Sequence, residues 1–152
     1  MELILVLVVV TIVLAIVAPS MRGLAQSRET ADAAVRVVAM AHRARSQAMA
    51  EGRPYRLNLD PTGRRCWLTV QKGAGYAPAD DWLARAYTPP EDVSVTLEST
   101  WTEAGAAYVQ FYPSGRCETA SIQVRGRGGE FYQVACASAT ERFRVIDPSE
   151  GQ

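Results

Sequence analysis

From Leu3 to Ala18 every residue is aliphatic except Thr11, and no comparable run exists elsewhere in the chain. A helix that is apolar on all sides belongs in a large core or in lipid. Its place at the extreme terminus argues against a core. A secretory signal needs a basic leader region, and only Met1 and Glu2 precede the run. The pattern therefore predicts a membrane-inserted helix, brought close to the roughly 20 residues of a span by continuing through Pro19 to Met21. Its apolar body is Leu3, Ile4, Leu5, Val6, Leu7, Val8, Val9, Val10, Ile12, Val13, Leu14, Ile16 and Val17.

Beyond Pro19 the pattern stays helical but becomes one-sided. Leu24, Ala31, Val35, Val38, Ala41 (or His42) and Ala48 follow steps built of three and four, while Arg22, Arg28, Glu29, Asp32, Arg36, Arg43 and Arg45 fill much of the rest. That spacing predicts an amphipathic helix with one face to bury. Gly52 and Pro54 mark its end, because Gly suits a left-handed cap and Pro cannot extend the ladder. Residues 2–50 thus read as one long helix, kinked near Pro19 where a backbone hydrogen bond is lost.

From Pro54 the period changes to two. Tyr55, Leu57 and Leu59 alternate with Arg56 and Asn58, Asp60-Pro61-Thr62-Gly63 forms a turn, and Cys66, Leu68 and Val70 return, which together predict a hairpin. Residues 73–90 read as a long surface loop. Short strands are expected at 93–97, 108–112, 122–124, 131–135 and 142–146, with Gly126-Arg127-Gly128-Gly129 as a turn. The expected fold class is α+β, a long N-terminal helix packed on an all-antiparallel β head. The expected organisation is a transmembrane or filament-core half of the helix over 1–21, an amphipathic half over 22–52, the head over 53–147 and a frayed tail over 148–152.

Charge and chemistry narrow the function. Sixteen basic and sixteen acidic residues cancel, which removes a global electrostatic case for nucleic acid. Arg125, Arg127, Arg142 and Arg144, with Arg116, are the candidate basic patch, but Glu118, Glu130, Glu141, Asp147 and Glu150 interleave with them. A solvated mixed-charge face is the expectation. The only histidine, His42, falls on the amphipathic helix, and no Gly-x-Ser-x-Gly turn accompanies it. Cys66, Cys117 and Cys136 lack metal-binding spacing, Asp80-Asp81 reads as a solvated loop pair, and the Gly-rich turn has no following helix to cradle a phosphate. No catalytic residue, metal or cofactor is therefore expected. Cys117 and Cys136 flank a predicted hairpin and are the candidate disulfide pair, with Cys66 as the spare thiol. Glu2 stands out, since a carboxylate at the edge of lipid calls for a named partner or a place among the headgroups.

Glu2-Leu3, the Val/Ile/Leu run, and then Ala18-Pro19-Ser20-Met21-Arg22 resemble the N-terminal segment of type IV pilins and type II secretion pseudopilins. In the head, Phe111-Tyr112-Pro113-Ser114-Gly115, the Gly-rich turn and the closing Arg142-Phe143-Arg144-Val145 are similar to the minor pseudopilin H (GspH/FimT-like) branch, as is Ala44-Arg45-Ser46-Gln47-Ala48 followed by Gly52. Glu141 stands where that branch usually has Gly. The resemblance implies a pilin-like fold and a structural, non-enzymatic role as a minor pseudopilin of a type II secretion pseudopilus. The alternative it leaves is a minor type IV pilin involved in pilus assembly or DNA uptake.

It also implies the site residues and partners. Glu2 would meet the free N-terminal amine of an adjacent subunit, and Pro19 lies at the family's spacing from that glutamate. The implied partners are other pseudopilins, the inner-membrane secretion platform, the membrane itself and, if the leader exists upstream, prepilin peptidase, with nucleic acid not expected. Aligned on Glu2, the chain is expected to start inside the mature protein, with a basic leader and the N-terminal methylation motif upstream. Arg22 and Arg28 alone would hold the head in the cytoplasm by the positive-inside rule. A basic leader would reverse that and give a single-pass inner-membrane protein with a periplasmic head.

Overall fold

In a computed structural model the protein is described over residues 2–79, 85–99, 101–136 and 138–146, with the side chains of Glu2 and of 14–26 outside that description. The predicted loop pair Asp80-Asp81 and the tail from Asp147 lie outside the described residues. A single helix, α1 (Glu2–Glu51), occupies the first third of the chain and is about 75 Å long at 1.5 Å per residue. It stops where the sequence demands: Gly52 turns left-handed at φ 66°, and Pro54 has no amide to offer.

The buried stripe of α1 is Thr30, Ala33, Ala34, Val37, Met40, Ala41, Ala44 and Ala48. Ala41 and Ala48 lie on the expected face. Val35 does not: it is 60% exposed, and Val38 is only partly buried. The bulky residues misplace the stripe because alanine, the smallest aliphatic side chain, lines most of the contact. Five of the eight stripe residues are alanines, so the helix can lie close against the strands.

Among the described residues the head has nine strands: β1 (Tyr55–Leu59), β2 (Cys66–Lys72), β3 (Gly75–Pro78), β4 (Val93–Glu98), β5 (Thr102–Glu103), β6 (Ala106–Phe111), β7 (Ala120–Gly126), β8 (Phe131–Cys136) and β9 (Arg144–Ile146). They form two antiparallel sheets, ordered β3-β2-β1-β6-β5 and β4-β7-β8-β9. The predicted β1–β2 hairpin is in register Tyr55↔Val70 to Leu59↔Cys66, which sends Tyr55, Leu57, Leu59, Cys66, Leu68 and Val70 inward. The other edge of β1 takes β6, with Tyr55 opposite Phe111. Strands β3 and β5 are additions to the prediction. β3 lies inside the predicted loop and ends on Pro78, which suits an edge position because proline cannot donate to a further strand.

The β1–β2 turn joins the two sheets. The Asp60 carboxylate accepts from the Arg64 amide at 2.9 Å and from the Thr62 hydroxyl. Desolvation works against its charge, but these hydrogen bonds outweigh it and hold its pKa below the ordinary 3.8. Gly63 sits at φ 68°, and its carbonyl accepts from the Val95 amide of β4 at 3.3 Å. Beneath this junction α1 packs on strands of both sheets. Ile122, Val124, Val134 and the tilted pair Phe111–Phe143, centroids 5.8 Å apart, complete the core.

Candidate functional site

Residues 3–13 of α1 carry their apolar side chains with no head to cover them. Leu3, Ile4, Leu5, Val6, Leu7, Val8, Val9, Val10, Ile12 and Val13 are 50–78% exposed. Thr11 is neutralised within the helix, its hydroxyl donating to the Leu7 carbonyl at 2.7 Å. Burying one such side chain is worth about 1.5–3 kcal/mol, so covering these ten is worth on the order of 10 kcal/mol or more. Among the described residues no helix segment is long and apolar enough to cross a membrane. The rest of the predicted span, Leu14, Ile16, Val17 and Pro19, and the Glu2 carboxylate have side chains outside the described set.

The head fixes the C-terminal segment to the helix through side chain to backbone hydrogen bonds. His42 Nε2 lies 2.8 Å from the Phe143 carbonyl, and Arg45 donates to the carbonyls of Glu141 and Thr140. Cys117 and Cys136 meet at this corner with Sγ atoms 3.1 Å apart. Both are buried free thiols. Desolvation first, then the Cys136 sulfur, push the Cys117 thiol up to about 12.

The four candidate basic residues are not brought together. Arg125 pairs with Phe131 at one end of the β7–β8 ladder, and Arg144 pairs with Ala135 near the other, about 13 Å along the strand. Arg127 is bound to Asp92 at 2.9 Å and Arg144 to Glu141 at 3.5 Å. Arg142 lies beside His42, Arg45 and Ser46. Among the described residues no group of three His, Cys, Asp or Glu could hold a metal ion.

Sequence reasoning missed the outer face of the first sheet. There the Arg56 guanidinium is sandwiched between Tyr76 of β3 and Tyr108 of β6, 3.5 and 4.0 Å from the ring centroids. It is also ion-paired to Glu103 and donates to Gln110 Oε1 at 3.0 Å. The Tyr76 hydroxyl donates to the same oxygen at 3.2 Å. An arginine amid alternating apolar residues was the only linear signal, and the tyrosines come from two other strands.

The family model for type II transport protein GspH matches residues 33–145. Two structures of the minor pseudopilin EpsH from the type 2 secretion system of Vibrio cholerae share the fold. Their TM-scores are 0.67 and 0.69 at 16% identity, covering 82% and 83% of this chain and 99% of each of those chains. The type IV minor pilin FimU of Pseudomonas aeruginosa, strain PAO1, is similar at TM-score 0.60 and 16% identity, over 81% of this chain and 91% of that one. No curated protein matches the sequence.

Proposed function

The chain belongs to the type II transport protein GspH family and is a minor pseudopilin, a structural subunit of type II secretion, and from that premise we propose that it joins a pseudopilus through its N-terminal helix. The observation that carries this reading is the exposed apolar start of α1, residues 3–13, while the helix residues buried against the head, among those described, run from Thr30 to Ala48. Such a surface needs lipid while the subunit waits and neighbouring helices once it assembles. The energy is similar in both settings, so transfer between them is close to balanced and small forces can drive it. The partners on this reading are the other pseudopilins and the inner-membrane secretion platform. The protein would span the inner membrane once, with its head in the periplasm, and would perform no catalysis.

Glu2 gives the reading its direction. A carboxylate in a helical filament core requires a cation, because an unpaired buried charge is severely penalised, and the N-terminal amine of an adjacent subunit supplies one. Glu2→Ala should leave membrane insertion intact and abolish cross-linking to the partner pseudopilins in membranes. Unchanged cross-linking of the variant would overturn this role. A nucleic-acid role as a minor type IV pilin would need Arg125, Arg127, Arg142 and Arg144 on one surface, and their separation and acidic neighbours do not favour it.

A further inference from the structure

We infer that Cys117 and Cys136 form a disulfide that staples the two sheets of the head together, a modification that rests on the periplasmic placement proposed above. Their sulfurs are 3.1 Å apart, against about 2.0 Å in a disulfide, a gap within reach of small side-chain rotations. The two residues are tied to different sheets. Cys117 is bridged to Phe111 at the end of β6, in the first sheet, whereas Cys136 ends β8 opposite Ala120, in the second. The bond therefore does not merely join two neighbouring strands of one hairpin. It closes the corner where the Cys117 amide donates to Ala139 O at 2.8 Å and where Arg45 holds the next two carbonyls. Oxidation removes the thiol proton of Cys136, whose Sγ lies 2.9 Å from Ser138 O and 3.3 Å from Glu141 O. The Glu141 carbonyl keeps Arg45 as its donor.

The chemistry is thiol–disulfide exchange with a protein disulfide oxidant, for which oxidised glutathione substitutes in vitro. One cysteine thiolate attacks the oxidant's S–S bond and forms a mixed disulfide. The second cysteine sulfur displaces the oxidant's remaining sulfur. One S–S bond forms in the chain and one is lost from the oxidant, which leaves reduced and carries the two protons. Burial of the finished pair disfavours thiolate, so exchange belongs to folding, before the corner is dry. Cys66, buried in β2 opposite Leu59, is the internal single-thiol control.

The test uses the full chain in detergent. The protein is refolded from urea in an oxidising glutathione buffer, denatured again, alkylated with a maleimide and weighed, then digested without reductant. The expected result is one adduct, none in Cys66→Ala, three after reduction, and a peptide linking Cys117 to Cys136. Reductant should lower the unfolding midpoint by roughly 10 °C, with no such shift in the Cys117→Ala/Cys136→Ala variant. Three adducts from the oxidised wild type, or a peptide linking Cys66 to either cysteine, would overturn the pairing. A second arm traps thiols in intact cells before lysis. Pairing in vitro combined with three adducts in cells would support the geometry and overturn the periplasmic placement.

Discussion

Replacing Gly63 by Ala tests whether the two sheets are held together at the β1–β2 turn. The residue stands at φ 68°, and a Cβ built on it would lie 2.3 Å from the Val95 carbonyl oxygen and 3.1 Å from the Val95 nitrogen. Two penalties add. The left-handed conformation costs alanine about 1–2 kcal/mol, offset in part by the lower entropy of its unfolded chain. Relieving the backbone contact forces the turn and β4 apart. That loses the Val95 N–H to Gly63 O bond, about 1 kcal/mol, and disturbs packing, at roughly 1–3 kcal/mol. The sum is about 3–5 kcal/mol. Gly52 is the control, because it has φ 66° but nothing within 4 Å of its Cβ position, so Gly52→Ala should lose only about 1 kcal/mol. Urea unfolding of the full chain in a fixed detergent, followed by tryptophan fluorescence, measures both. Equal losses in the two variants would refute the junction.

Arg45→Met keeps the aliphatic stem but removes the donors to Glu141 and Thr140. It should cost about 1–3 kcal/mol and open 138–143 to limited proteolysis, and an unchanged cleavage pattern would count against the clamp. Arg56→Lys keeps the charge but not the flat stacking surface between Tyr76 and Tyr108, so a loss of about 1 kcal/mol is expected, rising to about 2 in Arg56→Ala. Equal stability of Lys and Arg at this position would show that charge alone matters. Desolvation, with the Asp60 charge adding to it, raises the Cys66 thiol from 9.0 to about 12. The folded state then holds a proton that the unfolded state releases, so this contribution is complete below pH 9 and fades as pH climbs toward 12. Wild type should lose stability faster than Cys66→Ala across that window, and parallel pH profiles would reject the assignment.

What the sequence made legible was local. The β1–β2 hairpin followed from alternation around Asp60-Pro61-Thr62-Gly63, because register there is set by a turn of a few residues. The helix end followed from Gly52 and Pro54, and the Cys117–Cys136 meeting from their places beside one hairpin. Long-range pairing was not legible. Tyr55 finds Phe111 across a separation that no periodicity encodes. Gly75-Tyr76-Ala77-Pro78 forms a strand because β2 offers it an edge, not because it alternates. The helix face was misread through Val35, since hydrophobicity ranks valine above the alanines that make the contact. The Arg56 stack needs β3, β2, β1 and β6 side by side before it exists.

The alanine stripe has a mechanical consequence. From Thr30 to Ala48 the contact runs for about 27 Å parallel to the helix axis. A pull on the N-terminal end therefore loads the stripe in shear, with its contacts strained together, instead of peeling them apart one after another. A force along the axis is then shared along the whole length of the contact, while a sideways force on the helix concentrates at its first turn against the head. The junction is strong in the direction in which a shaft would be pushed or drawn, and weak across it.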